Sequence, residues 1–283
     1  MFFTWVRGSV VPLSCVVHSG TTKPEVARPV FRPVIFMILF AALLAVSSSP
    51  RATEIRNSEF STGADAAGNV WLIYTGTTLA PFGDIHQNGL RLRFVGAYGH
   101  YGYEAISRTF EPTHFAAKVH AGDALIGYLW RLDPIILKLF AGAGFSSHEI
   151  RPIDQNNYVQ GPDVGIKLVV ELWYNLGEQG FASLDVAWSQ AHNTRSARSR
   201  IGYEVWPDLF VGPEAGLNLD RQADYKVYQE AMDYRTRPID YGRIGTFARY
   251  AWDGGEVSAS VGLVGDFRQE KAAYGTVSWI KQF

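Results

Sequence analysis

Basic and acidic side chains recur at alternate positions of this chain: Arg91, Arg93, Lys167, Arg198, Arg200, Arg243 and Arg249 stand with Glu171, Asp185, Glu204 and Glu214. Alternate positions of a strand share one face, so these residues are expected to line a common interior surface. Two chemistries fit such a surface. One is an electrostatic constriction on a narrow path; the other is a ladder of ion pairs filling a small interior, where unpaired charge is costly. A second group is aromatic. Tyr98, Tyr101 and Tyr103 are expected around one rim, and Tyr225, Tyr228 and Tyr234 in a loop. Exposed rings of this kind stack on the C–H faces of a pyranose. The third group is the histidines His86, His100, His114, His120, His148 and His192. Ser146 and Ser147 adjoin His148, and Ser189 lies near His192, which pairs a nucleophile with a base. No catalytic motif accompanies them, and HExxH, P-loop and GxGxxG patterns are absent. Tyr103, Glu104, His114 and the acids of the loop 221–240 carry metal donors without a ligand spacing. No catalytic residue, metal or cofactor is assigned.

The elements that must position these residues are strands. Strict period-two alternation runs through 90–97, 163–172, 182–189, 209–219 and 257–264, the mark of strands with one apolar and one polar face. Twelve strands are expected, at roughly 58–66, 69–80, 89–101, 115–129, 135–148, 162–174, 180–191, 196–206, 208–219, 241–252, 256–267 and 272–283. Many match the 9–11 residues a tilted strand needs to cross a membrane. An even number returns both ends to one side. Taking the first strand as rising from the periplasm, the connections around 102–114, 149–161 and 221–240 are the longest, and all fall outside. Short inner turns and long outer loops are the pattern of an outer-membrane barrel. A girdle of Trp173, Tyr174, Trp188, Trp252 and Trp279 is expected near the strand ends.

Composition agrees. Aromatics make up 14% of the 283 residues, charged residues only 19%, and there are 28 glycines, which disfavours a helical bundle. The formal net charge of −1 excludes a dedicated nucleic-acid binder, which needs a basic excess. Residues 1–52 read as a leader: a basic stretch, then the apolar run from Val34 to Val46, then Ser47-Ser-Ser-Pro-Arg-Ala52. That layout is a secretory signal, and the run is too short to span a bilayer as a helix. The leader takes the one cysteine, Cys15, with it and leaves 21 basic and 26 acidic side chains in 53–283. That segment is expected to be a single domain without disulfides. It ends in alternating Val277, Trp279 and Phe283, interrupted by Lys281, and a terminal aromatic suits a barrel's last strand.

Several segments resemble the cellulose biosynthesis protein BcsS family of alphaproteobacteria: Arg93-Phe-Val-Gly-Ala-Tyr-Gly-His-Tyr-Gly-Tyr103, Gly127-Tyr-Leu-Trp130, Leu139-Phe-Ala-Gly-Ala-Gly144, Arg198-Ser-Arg-Ile-Gly-Tyr203, Val211-Gly-Pro-Glu-Ala-Gly216 and Tyr241-Gly-Arg-Ile-Gly-Thr-Phe247. Their order, from about Glu59 to Phe283, carries the resemblance. The resemblance implies an envelope accessory role near cellulose or exopolysaccharide production. It brings no catalytic residues. The expectation is an all-β, antiparallel outer-membrane barrel of about twelve strands that is not an enzyme. Its partners would be outer-membrane lipids, cellulose or another glucan, and components of a cellulose synthase complex, with no nucleic acid. A narrow pore for small solutes is the alternative, and a barrel enzyme acting at the outer rim is a further one.

Overall fold

The computed structural model describes residues 55–106, 112–154, 157, 159–219, 240–265 and 271–283. The leader expected over 1–52 and the loop tyrosines Tyr225, Tyr228 and Tyr234 lie outside the described residues. Twelve strands follow one another: β1 (Ser58–Ala67), β2 (Val70–Leu79), β3 (Gly89–Ile106), β4 (Pro112–Leu132), β5 (Ile135–Arg151), β6 (Gly161–Asn175), β7 (Gly180–Ser189), β8 (Thr194–Trp206), β9 (Leu209–Leu219), β10 (Asp240–Trp252), β11 (Gly255–Gly265) and β12 (Lys271–Gln282). Each pairs antiparallel with the next, and β1 pairs with β12, with Glu59 opposite Gln282. The sheet is a closed barrel without an edge.

The alternation read from the sequence becomes an inside and an outside. On β6, Lys167, Val169, Glu171 and Trp173 are buried in the interior, whereas Val164, Ile166, Leu168 and Val170 are exposed on the outer wall. The exposed face is the apolar one, the reverse of a water-soluble sheet and the arrangement that lipid requires. Aromatic rings cluster on the outer wall towards the end with the tight turns, where Tyr128 meets Trp130 at 4.6 Å and Tyr250 stacks on Trp252 at 6.1 Å. Amphipathic rings of this kind settle at a membrane interface. Tight turns belong to the inner end of an outer-membrane barrel, and on that pattern this end is taken as the inner one. Trp173, expected in this girdle, points inward instead and stacks on Phe181 at 4.0 Å.

Two features depart from the sequence reading. The connection expected at 102–114 is mostly strand, because β3 and β4 keep pairing up to Ile106 opposite Pro112. This hairpin is longer than a membrane crossing requires, so the described part of it extends past the bilayer. In β9, Pro213 lies mid-strand, a place a proline normally avoids because it lacks a ladder donor. The pairing of β8 with β9 runs to Arg200 opposite Glu214 and resumes only at Tyr203 opposite Val211. On the other side, the Thr246 hydroxyl donates to the Gly212 carbonyl at 3.0 Å.

The longest inner connection, Ala80 to Asn88, folds back under the barrel. Ile85 and Ala80 pack on Ile280, all buried. The Arg91 guanidinium donates to the carbonyl oxygens of Asp84, Ile85 and Gln87. The Ile85 amide donates to the Arg56 carbonyl at 2.6 Å, and Arg56 forms a two-pronged pair with Asp253 at 2.7 and 2.8 Å.

Two predictions follow from this packing. Burial pushes the His86 imidazole in this turn down to about 4, with Asp84 opposing and Arg131 and Arg56 reinforcing. Hydrogen bonds from Arg56 likewise hold the Asp253 carboxyl below its usual range. A histidine whose folded pKa lies below its ordinary 6.5 stabilises the fold above that pH, and this contribution is lost as pH falls towards 4. Unfolding midpoints measured from pH 7 to 4 are therefore expected to fall more steeply for the natural chain than for His86→Gln. The second concerns closure. A Cβ on Gly212 would overlap the Ile201 carbonyl oxygen, whereas one on Gly96 meets nothing within 4 Å. Closed barrels resist detergent until heated, so Gly212→Val is expected to abolish the heat-dependent shift in gel mobility and Gly96→Ala to retain it.

Candidate functional site: the charged interior

The period of two delivers the interior charges, and the closed wall brings together residues far apart in sequence. In a middle layer, Arg93 on β3 reaches Glu171 on β6 with bonds of 2.5 and 3.1 Å. Lys138 on β5 stands 3.8 Å from the same carboxylate. The Arg93 Nε donates to Thr78 at 3.1 Å, and its guanidinium lies 3.8 Å above the Phe140 ring. β3 and β6 are not neighbours, so this pair crosses the interior as a chord.

Glu214 on β9 is the second centre. One of its oxygens accepts from Arg198 at 2.7 and 2.9 Å, Arg200 at 2.5 Å and Ser260 at 3.1 Å. The other accepts from the Tyr274 hydroxyl at 3.1 Å. Arg200 also donates to Ser258 and Ser260 on β11, three strands along the wall. Towards the outer end, Arg243 pairs with Asp65 at 2.8 Å and Lys167 with Asp123 at 2.5 Å. Towards the inner end, Arg249 pairs with Glu256 at 2.5 Å and faces the rings of Trp173, Phe181 and Phe210 at 5.2–5.5 Å. Those rings, with Phe247, Leu129 and Ile136, form a buried apolar layer. Below it a cavity of about 640 Å³ opens to the inner mouth, lined by Asp133, Glu178 and Asp208 beside the aromatic layer.

Nine of the eleven charges singled out in the sequence take part in this interior or face it. Eight of them (Arg93, Lys167, Glu171, Arg198, Arg200, Glu214, Arg243 and Arg249) are ion-paired. Asp185 is half-buried and stands between Glu171 and Arg198 in register. Arg91 does something else: its guanidinium is spent on backbone carbonyls of the inner turn. Glu204 likewise accepts the Asp208 amide at 2.9 Å and caps the β8–β9 turn. Sequence reasoning missed Lys138, Asp65, Asp123 and Glu256, each a partner in a pair above. Their positions share the inward parity, which was the available signal.

The tyrosines do not share a rim. Tyr98 faces outward and touches Trp71 at 5.6 Å and His120 at 5.0 Å. Tyr101 and Tyr103, of opposite parity, are buried inside and stack on one another at 6.0 Å, with Phe115 beyond. Tyr103 donates to Asp154 at 2.7 Å. His148 lies between the Tyr101 hydroxyl and Ser146, at 3.1 Å from each. Ser147 is on the outer wall, away from this group. In a Ser-His-Asp arrangement the far nitrogen of the histidine is held by a carboxylate; here that nitrogen meets the Tyr101 phenol. His192 stands 3.8 Å from Asp163, with its ring 5.0 Å from His148.

A buried pair resists loss of one member more than loss of both. Glu171→Ala would strand Arg93 and Lys138 and is expected to cost about 3–5 kcal/mol, read from urea unfolding in lipid vesicles. For Arg249 and Glu256, each single truncation is expected to destabilise more than the double change Arg249→Met with Glu256→Leu.

Among solved structures the chain is similar to the KdgM porin, at 10% identity and a TM-score of 0.45, covering 80% of this chain and 99% of that one. An outer-membrane channel from Pseudomonas putida F1 matches at 11% identity and a TM-score of 0.47, covering 84% and 100%. The translocator domain of the autotransporter NalP from Neisseria meningitidis matches at 13% and 0.45, covering 89% and 96%. No curated protein matches. The model of one family, however, aligns with residues 60–283, nearly the whole barrel, and by that match the chain belongs to the cellulose biosynthesis protein BcsS family.

Proposed function

We propose that this chain is a non-enzymatic outer-membrane accessory of bacterial cellulose biosynthesis or export, with its barrel closed to solutes. Family membership supplies the link to cellulose. The observation that carries the closed barrel is the burial of interior charge. Glu171 and Glu214 are 0% and 1% exposed, and Arg93 and Arg249 are 3% and 4% exposed. In a water-filled pore the lumen-facing carboxylates would be wetted; here cations and hydroxyls from distant strands cover them. The buried apolar layer of Trp173, Phe181, Phe210 and Phe247 below them supports the same reading.

A closed barrel acts through its surfaces rather than its lumen. In this reading the chain, exported by the leader in 1–52, sits in the outer membrane as one domain over 53–283. It meets glucan or synthase components at its ends.

Planar-bilayer recording of the purified chain is expected to show no steady conductance, with Arg243→Ala causing little change; stable unitary currents would restore the pore reading. Deletion in the native host is expected to alter cellulose at the cell surface while synthase activity in isolated inner membranes stays intact. Unchanged surface cellulose would remove the accessory role.

A further inference from the structure

The outer wall of β2–β5 carries basic and polar residues above its apolar band. Outward positions on β3 read Leu90, Leu92, Phe94, Gly96, Tyr98 and then His100, while those on β4 read Tyr128, Ile126, Ala124, Gly122, His120 and then Lys118. At a rise of about 3.3 Å per residue and a tilt of roughly 40°, the apolar band about 25 Å tall takes about ten residues. Counted from Gly89 opposite Leu129, ten residues end at Tyr98 opposite His120, and the next outward row is His100 opposite Lys118. That row, continued by Trp71 on β2 and Glu149 on β5, therefore lies at the headgroup level of the outer leaflet. His120 is one row below, beside Tyr98, and Arg151 one row above, opposite Ala116.

Lys118 and His120 are exposed. Among the described residues Lys118 makes no ion pair, not even with Glu149, its register partner on β5. Directly beneath the row is an open groove of about 700 Å³ in the outer wall, with Phe60 and Trp279 at its lower end and Ile73, Tyr98 and His120 at its upper end. Its floor is made of small groups, Ala64, Thr75 and Gly96, which leave room where neighbouring strands carry Leu or Phe.

We infer that this face binds one phosphorylated, acylated lipid of the outer leaflet, with its phosphate held by Lys118, His100 and His120 and an acyl chain seated in the groove over Gly96. Charge and shape support the same occupant. A cation with imidazole N–H donors at headgroup depth suits a phosphate, Arg151 adds a second positive charge, and the groove below is apolar. Glu149 is the carboxylate that opposes it, and Glu104 occupies the register position opposite His114 two rows higher.

The test uses the full chain, purified in detergent, stripped of lipid and then titrated with diphosphorylated lipid A or with its dephosphorylated form. Bound lipid is read by native mass spectrometry. One lipid per chain is expected to be retained, dependent on phosphate. A lysine near an anionic surface contributes about 1 kcal/mol, so Lys118→Gln is expected to weaken retention about fivefold. Gly96→Leu fills the groove at a site where a Cβ meets nothing and is expected to weaken it as well. Arg195→Gln, on the outer wall of β8, is expected to change nothing. Each variant's heat-dependent mobility shift reports that it is folded. Equal retention of the two lipid forms, equal losses from Lys118→Gln and Arg195→Gln, or displacement by inorganic phosphate would each overturn the site.

Discussion

Inside a bilayer no water is available to take up a free amide or carbonyl, so every backbone polar group that crosses must be paired within the protein. For strands that demand has one solution, closure, and the pairing of Glu59 with Gln282 provides it. The rest of the architecture follows. A closed sheet of twelve strands encloses a volume larger than backbone alone can fill. Because the lipid claims the apolar face, the residues left to fill that volume are drawn from the polar one.

An interior built from charges is stable only if each charge is paired and hydrogen-bonded. Two carboxylates meet much of this demand. Glu171 collects Arg93 and Lys138, and Glu214 collects two arginines, a serine and a tyrosine. The cations also lie on aromatic rings, Arg93 over Phe140 and Arg243 over Tyr274, which lets guanidinium groups replace part of their hydration without water. Since Arg93 to Glu171 and Arg243 to Asp65 join strands that do not touch, these pairs tie the wall to itself by chords through the interior. An apolar filling would fix distances less sharply, because hydrophobic contact has no direction.

The strands were legible because lipid on one face and charge on the other leave a strong period of two. β6, for instance, reads from Pro162 to Tyr174 without a break in parity. Parity also held information that spacing along the chain concealed. Tyr98, Tyr101 and Tyr103 look like one cluster in sequence, yet the odd step between the first two sends them to opposite sides of the wall. What could not be read was partnership. Lys138 is a lone cation in an apolar run, and nothing local connects it to Glu171. Asp65 sits on a weakly patterned strand, 178 residues from the arginine it pairs with. Such contacts are set by barrel closure and stagger, which are global quantities. Arg91 shows the same limit from the other direction, since its inward parity was correct while its work is to hold the turn beneath it.

The two ends of the barrel are built for different surroundings. The inner end is fastened three times over, by Ile85 tucked against Ile280, by Arg56 gripping Asp253, and by the aromatic layer above the mouth. The outer end sets hydrogen-bonded groups, Tyr101 with Ser146 and His148 and Tyr103 with Asp154 and Asn157, against a buried apolar cluster of Phe115, Val119 and Ile150. From it the β3–β4 hairpin rises past the membrane while still paired. A strand pair that keeps its ladder in water is stiff, so it presents whatever it carries at a fixed height and angle. If the barrel is closed to solutes, as proposed, that stiffness would place recognition on the wall and the rim, with the interior ion pairs holding those surfaces in place.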